Sequence, residues 1–469
     1  MVKSRIGILH TCAPSHGRVS ASVHTWCESF MHFAHPIASG GSAAPDPPDK
    51  NRERRRPGSA WRSRLQTRTE IQSGYQVRPR DHRRASVARI DRSLTGAGVI
   101  TRVSVILLLC CAAARPTQAQ SQSQREPFKT GDEVYQAACA ACHGSDGRGN
   151  PQSVVGFAQP LPDFTDCLFV TVEADEGWEA VVHEGGPVRA LDRHMPAFGG
   201  ALSENEIRMA IGHVRQFCPD RGKWPQGDLN FPRALITEKA FPENESLVTS
   251  SFQTGPTHGS STALLHERRF GSRTMMEFNV PFETQQTETG QTNYGLGDVA
   301  IANKRDLFHS VASGSIFSVG EEVGLPTGKE TLGLGGGVTT FETFAAFGQR
   351  LPALSFVQFH AGVGLPTKPE IVPREAFWRA AFGKQFVQGG FYRTWTPIVE
   401  IVAARELTDG AASEWDVVPQ MQVSLSKRRH ILVSGGVQIP MNEREGRHPQ
   451  VLTYFLWDWY EGGLFDGWK

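Results

Sequence analysis

The second half of this 469-residue chain contains no cysteine: all eight lie at or before Cys218. A disulfide framework or a thiolate-held metal is thereby excluded from that half. Its histidines, His258, His266, His309, His360, His430 and His448, are scattered, and no Ser/His/Asp set or cofactor loop accompanies them. Enzymatic chemistry is therefore not expected there. Charge of one sign is missing too, since 49 Lys and Arg face 48 Asp and Glu for a net charge of +1. Residues 1–98 supply much of the basic charge, so the remainder is acidic and nucleic acid is not an expected partner. That first stretch has few apolar runs and no helical or strand periodicity, and it should form no core. Either it is disordered or translation starts later, near Leu94 or Val99.

Against these absences stands Cys139-Ala140-Ala141-Cys142-His143. Two thiols one helical turn apart can add across the two vinyl groups of one porphyrin, and a histidine directly after the second can supply a proximal imidazole to its iron. A zinc knuckle would need a second ligand pair, and Cys167 and Cys218 stand alone. A thioredoxin-like dithiol needs a βαβ setting and has no use for the histidine. Covalent attachment of one haem c is therefore expected at Cys139 and Cys142, with His143 on the iron. Thr130-Gly131-Asp132-Glu133 reads as a capping box opening the helix that delivers these residues, and Gly144, Gly147 and Gly149 let the chain turn sharply after it.

With Gly131, Val134, Tyr135, Cys139, Cys142, His143 and Gly144 in place, the segment 126–220 resembles the class I monohaem cytochrome c family. The resemblance implies an all-α domain and a methionine-proline pair ahead of the last helix that supplies the second axial ligand. Met195-Pro196 fits that description, with His183, His194 and Met209 as competitors. Ser203-Glu204-Asn205-Glu206 is a second capping box, and Ile207, Ala210, Ile211 and Val214 follow at helical spacing as the closing helix. A His/Met pair fills both open iron positions, so the domain should carry electrons rather than bind oxygen or substrate.

Haem c is attached outside the cytoplasm, and the chain holds an export signal at 99–119. Arg102 precedes the apolar run Val103 to Leu109, and Thr117-Gln118-Ala119 offers a small-residue cleavage site. The run is too short to span a bilayer. Removal of the signal leaves Cys167 and Cys218 beside the haem pair. In an oxidising periplasm these two are expected to form a disulfide, the alternative being two buried free thiols.

Pro219, Pro225, Pro232 and Pro242 mark 221–243 as a semi-rigid linker. Beyond it, in 244–469, the periodicity is two. Trp415, Val417, Pro419, Met421, Val423 and Leu425 share one face, against Asp416, Gln420, Gln422, Ser424 and Ser426 on the other. Similar alternation runs through Trp395 to Ala403, Phe317 to Leu325 and Ile431 to Ile439. Gly324-Leu325-Pro326-Thr327 is echoed by Gly364-Leu365-Pro366-Thr367, each closing a strand with a proline turn. Evenly spaced units of this kind, about ten to twelve of them, suggest an antiparallel meander closed into a barrel. A soluble β-sandwich would use the same alternation with its apolar face inward. Trp378, Trp395, Trp415, Trp457 and Trp459 fall near strand ends, as in an interfacial girdle. Gly295-Leu296-Gly297-Asp298-Val299 resembles a strand entry of the phenol-pathway, MetA-like outer-membrane β-barrels, which implies an outer-membrane barrel.

The expected whole is a multidomain chain: an all-α haem-binding electron carrier in the periplasm, linked to an all-β barrel in the outer membrane of a Gram-negative-type bacterium. Its partners would be periplasmic redox proteins and outer-membrane lipid. Two other readings remain at this stage, a periplasmic oxidoreductase with a soluble β substrate domain and a redox-gated outer-membrane transporter.

Overall fold

The computed structural model describes residues 126–157, 160–256 and 258–458. The leader, the start near Leu94 or Val99, and Trp459 therefore lie outside the described residues. Helices are α1 (Gly131–Ala138), α2 (Ala140–His143), α3 (Gln152–Val155), α4 (Cys167–Val172), α5 (Asp175–Glu184) and α6 (Glu204–Val214). Both capping boxes form: Thr130 and Ser203 each accept from the amide three residues on, and Glu133 and Glu206 reach back to the cap amides. These exchanges satisfy backbone donors that a helix start leaves unpaired. Val134 of α1 closes on Ile207, Ala210 and Ile211 of α6 to make the domain's core. The helices cross at Gly131, where a methyl group would collide with the Met209 carbonyl, so only glycine permits this approach.

The second region is a closed antiparallel barrel. Its strands are β1 (Glu245–Gln253), β2 (Gly259–Phe270), β3 (Thr274–Gln286), β4 (Thr292–Leu296), β5 (Val299–Ser310), β6 (Ser315–Leu325), β7 (Thr340–Leu351), β8 (Ser355–Pro366), β9 (Glu375–Lys384), β10 (Phe386–Val387), β11 (Thr394–Glu406), β12 (Glu414–Ser424), β13 (Ile431–Pro440) and β14 (Gln450–Asp458). Twelve of them close the ring, with β1 paired to β14 from Glu245↔Asp458 to Gln253↔Gln450 and β9 paired to β11; β4 and β10 only extend β3 and β11.

Burial along the strands separates the two architectures that the alternation allowed. On β12, Trp415, Pro419 and Met421 are exposed while Asp416, Gln420, Gln422 and Ser424 are buried. On β11, Val399 and Ile401 are about half exposed, at 45% and 52%, and Thr396 and Glu400 are fully buried. The apolar face thus points outward and the polar face inward, the reverse of a sandwich and the arrangement of a barrel set in lipid. Tight turns at 271–273, 311–314 and 352–354 lie at the end where the barrel starts and stops, while longer connections such as 287–298, 326–339 and 441–449 lie at the other. Trp395 and Trp457 sit near the first end, and Trp378 and Trp415 pack edge to face at the second, 5.4 Å apart.

The stretch 221–243, expected to be a linker, does more than connect. Leu229, Phe231, Arg233, Ala234, Thr237, Lys239, Ala240 and Phe241 are buried, and the segment fills the barrel lumen. Glu400 accepts the amides of Leu235 (2.9 Å), Ile236 (3.2 Å) and Thr237 (2.6 Å) and the Thr237 hydroxyl (2.6 Å). Gln358 donates to the Pro232 carbonyl (2.9 Å), Tyr454 to that of Arg233 (2.8 Å) and Ser318 to that of Ala240 (2.5 Å). Arg233 pairs with Glu245 (2.8 Å) and with Glu267, and Lys304 pairs with Glu238 (2.5 Å). Phe231 stacks on Phe356, centroids 5.8 Å apart. The physical reason is that a lumen lined by polar side chains needs partners for them; here the chain's own backbone supplies many.

Candidate haem-binding site

Cys139 ends α1 and begins α2, and the amides of Cys142 and His143 donate to its carbonyl at 3.1 and 2.9 Å. Both thiols therefore lie on one turn, half-buried and unbonded to each other. Burial, and then the neighbouring Cys142 thiol, push Cys139 up to about 11. A dithiol redox centre has a depressed pKa and a reactive thiolate, so this environment argues against the thioredoxin-like alternative.

The turn after His143 is fixed from several sides. Tyr135, fully buried, donates its hydroxyl to the Gly144 carbonyl (2.7 Å), and Asn150 donates to the Ala141 carbonyl (2.9 Å). Gly144, Gly147 and Gly149 all adopt φ between 74° and 78°, the left-handed conformation that glycine tolerates. The His143 ring stacks on Phe164, centroids 4.8 Å apart. Its Nδ1 is buried with no hydrogen-bond partner among the described residues. Burial pulls His143 down to about 4, so the ring is neutral at ordinary pH. A neutral imidazole with a lone pair is the form that binds a metal, and the residues present fit a haem iron.

Met195 lies on the loop between α5 and α6. Its carbonyl accepts the Gly186 amide (3.0 Å), and the loop returns to α5 through Phe198 to Val182 (2.9 Å) and Gly199 to His183 (3.0 Å). The competing histidines are engaged elsewhere: His183 Nδ1 meets Glu184 at 2.9 Å, and His194 Nδ1 meets Asp192 at 2.7 Å while its ring stacks on Phe157. Met209 packs against the Val134 and Ile207 core. Phe164, which stacks on His143, in turn meets Trp178 of α5 edge to face at 5.7 Å. Cys167 and Cys218 form a disulfide, tying the start of α4 to the chain just beyond α6, with Cα atoms 5.0 Å apart.

Tyr135 belongs to the family pattern, but spacing gave no sign of Phe164 and Trp178 as supports of this site, nor of Arg215, which donates to Asp175 (2.7 Å) and to the Glu173 carbonyl (2.9 Å) with its guanidinium 5.7 Å from the Trp178 ring. The domain also rests on the tight-turn end of the barrel. Glu173 meets His430 (2.7 Å) and Glu176 meets Arg429 (2.9 Å), and just beyond the domain Asp228 meets Arg350 (3.6 Å). Burial would raise the Glu173 carboxyl, but the hydrogen bond and charge of His430, helped by Arg189 and Arg429, hold it below the usual carboxylate range.

Residues 126–214 match the family described as cytochrome C oxidase, cbb3-type, subunit III. This is a cytochrome c domain. The match implies covalent haem c for the helical region and suggests haem electron transfer. Among solved structures, the barrel half is similar to an outer membrane channel from Pseudomonas putida F1 (12% identity, 47% of this chain and 97% of that chain, TM-score 0.34). It is also similar to the KdgM porin (8% identity, 46% and 99%, TM-score 0.30) and to the β domain of the Bordetella autotransporter BrkA (12% identity, 45% and 97%, TM-score 0.31). A search of the curated proteins gives no match.

Proposed function

We propose that the cytochrome domain carries single electrons in the periplasm and that the barrel fastens it to the outer membrane. The observation that carries this reading is the free, half-buried thiol pair on one turn, followed at once by the neutral, stacked His143 with an unpartnered ring nitrogen. Cys139 and Cys142 would hold one haem through thioethers, and His143 and Met195 would take its two axial positions. When bound, haem c supplies a one-electron couple, and a thioether ligand raises its potential. The chain's own part is positioning. Phe164 orients the His143 ring, Tyr135 and Asn150 fix the turn behind it, and the Gly186 amide holds the Met195 backbone.

The outward apolar face supports a place in lipid, and the short turns, with the start of β1 and the end of β14 beside them, support that end as periplasmic. The cytochrome domain rests on that same end. A lumen filled by 229–244 favours an anchor over an open pore, and it weighs against the redox-gated transporter.

Outer membranes run on a gel with and without boiling, and stained for haem peroxidase activity, test the reading. The expected result is one haem-stained band whose mobility shifts on boiling. Haem found only in the soluble periplasm, unshifted by heat, would overturn it. Met195→Ala should keep the covalent stain and lose the sulfur-to-iron charge-transfer band of the oxidised protein; a band that persists reassigns the ligand.

A further inference from the structure

Between the cytochrome domain and the mouth of the barrel lies a cavity of about 170 Å³, bounded by the start of α5, the lumen segment and the turn before β13. One water needs only about 15 Å³ of such space, so this cavity holds far more than a single solvent molecule. Arg189 from the cytochrome domain and Arg428 and Arg429 from the barrel turn all line it. Each has a buried guanidinium nitrogen without a hydrogen-bond partner among the described residues: Nη2 of Arg189, Nε of Arg428 and Nη2 of Arg429. Arg189 is only 6% exposed. Burial, and then the charge of Arg429, pull it down to about 10, against the opposing charges of Glu176 and Glu173.

The acids of the same wall answer only part of this, since Glu176 and Glu173 lie close enough to stabilise Arg189 and Arg429 while the three nitrogens still lack a partner. Glu173 is bonded to His430, Glu176 to Arg429 and Glu245 to Arg233. Asp458 remains, with Oδ1 buried and unpartnered. Buried guanidinium donors without partners are rare, and an unseen ion or ordered water ordinarily accounts for them. Guanidinium forks match tetrahedral oxyanions in particular. We propose that this cavity is a binding site for a small phosphate-type oxyanion. Its oxygens would accept from Arg189, Arg428 and Arg429, and the hydroxyl of a monohydrogen phosphate would meet Asp458. Thr394 and Gln422, both buried and turned into the lumen, also line the cavity. It therefore opens toward the barrel mouth rather than toward lipid, which points to a soluble anion and not a lipid headgroup. The site stands apart from the haem reading and does not depend on it.

Calorimetric titration of the full-length holoprotein in detergent with inorganic phosphate, at ionic strength held constant with chloride, tests it. Saturable binding at one site is expected. Arg189→Gln should weaken it by roughly tenfold or more, the effect of losing a charge-assisted hydrogen bond. Arg428→Gln, at a half-exposed side chain, should do the same while the haem spectrum and the heat-shifted mobility stay as in the parent. No saturable binding in the parent protein, or unchanged affinity in a folded Arg428→Gln protein, would overturn the proposal and leave the cavity to water.

Discussion

In the cytochrome domain Val134, Ile207, Ala210 and Ile211 close on one another while Glu204 and Arg208 face water. Along β12 the order is inverted, with Asp416, Gln420 and Gln422 turned in and Trp415, Pro419 and Met421 turned out. One chain thus obeys the same rule twice with two different surroundings. Apolar side chains leave water in both regions, into a core in one and toward an apolar solvent in the other. Polar groups then meet opposite fates. In the helical domain most can hydrate freely, whereas in the barrel they must find partners in the lumen, and the segment 229–244 provides them.

The two regions should also differ in what holds them closed. The barrel is sealed by strand pairing around its whole circumference, but the helical domain is small and has a cross-link. The Cys167–Cys218 bridge spans 51 residues of sequence. Constraint of the unfolded chain over such a loop corresponds to about 4 kcal/mol. The double variant Cys167→Ala/Cys218→Ala should therefore lower the unfolding free energy of the cytochrome domain by about that amount, leaving the heat-shifted mobility of the barrel unchanged. Denaturant titration followed by haem absorbance measures the first effect. A domain that unfolds at the parental midpoint would mean that the bridge constrains little.

A lysine placed on each outer surface tests the inversion itself. At Ile401, mid-strand and outward on β11, Lys should cost about 3 kcal/mol, as a cation near a bilayer midplane does. At Val154, 68% exposed on the helical domain, the same change should stay within about 0.5 kcal/mol. Refolding into lipid vesicles across a urea series reads both. Equal small effects would show that the barrel's outer face does not meet lipid.

The lumen segment gives a third contrast. Glu400 is fully buried and accepts from three consecutive backbone amides, with the Thr237 hydroxyl as the one side-chain donor of the segment, so most of the contact is not encoded in side chains. Glu400→Gln keeps the shape but loses the charge and one acceptor, for an expected loss of about 2 kcal/mol. Limited proteolysis at Lys239, together with conductance in planar bilayers, should show a loosened segment. Resistance equal to that of the parent would mean that the ion pairs of Arg233 and Lys304 suffice.

Local signals were the legible ones. The capping boxes at Thr130 and Ser203 and the Cys139 to His143 turn each depend on residues within one or two helical turns, so spacing alone reveals them. Strand alternation was equally plain, and twelve closing strands match the expected number. Its direction was not, because a period of two is common to a sandwich and a barrel. The lumen segment was misread because Pro225, Pro232 and Pro242 mark broken backbone, wet or dry, and the partners of Arg233 and Glu238, Glu267 and Lys304, lie 34 and 66 residues away on strands that sequence does not place nearby. Contacts such as Glu173 with His430, 257 residues apart, leave no local trace at all.

Those long-range contacts supply the smallest expected effect. The junction between the regions is polar, and its carboxylate Glu173 titrates below the usual range because His430, Arg189 and Arg429 stabilise its charged form more than burial opposes it. A depressed carboxylate pKa favours the docked state above the ordinary carboxylate range, and that contribution fades as pH falls through the lowered value. Docking should therefore hold near neutrality and weaken only in acid. Hydrogen exchange at the amides of α5 would report it, rising modestly below about pH 4 in the parent. Glu173→Gln should show the raised exchange already at neutral pH, with no further acid step from this site. If parent and variant exchange alike across the range, the ion pairs do not hold the two regions together, and the buried contacts of the lumen segment carry the docking alone.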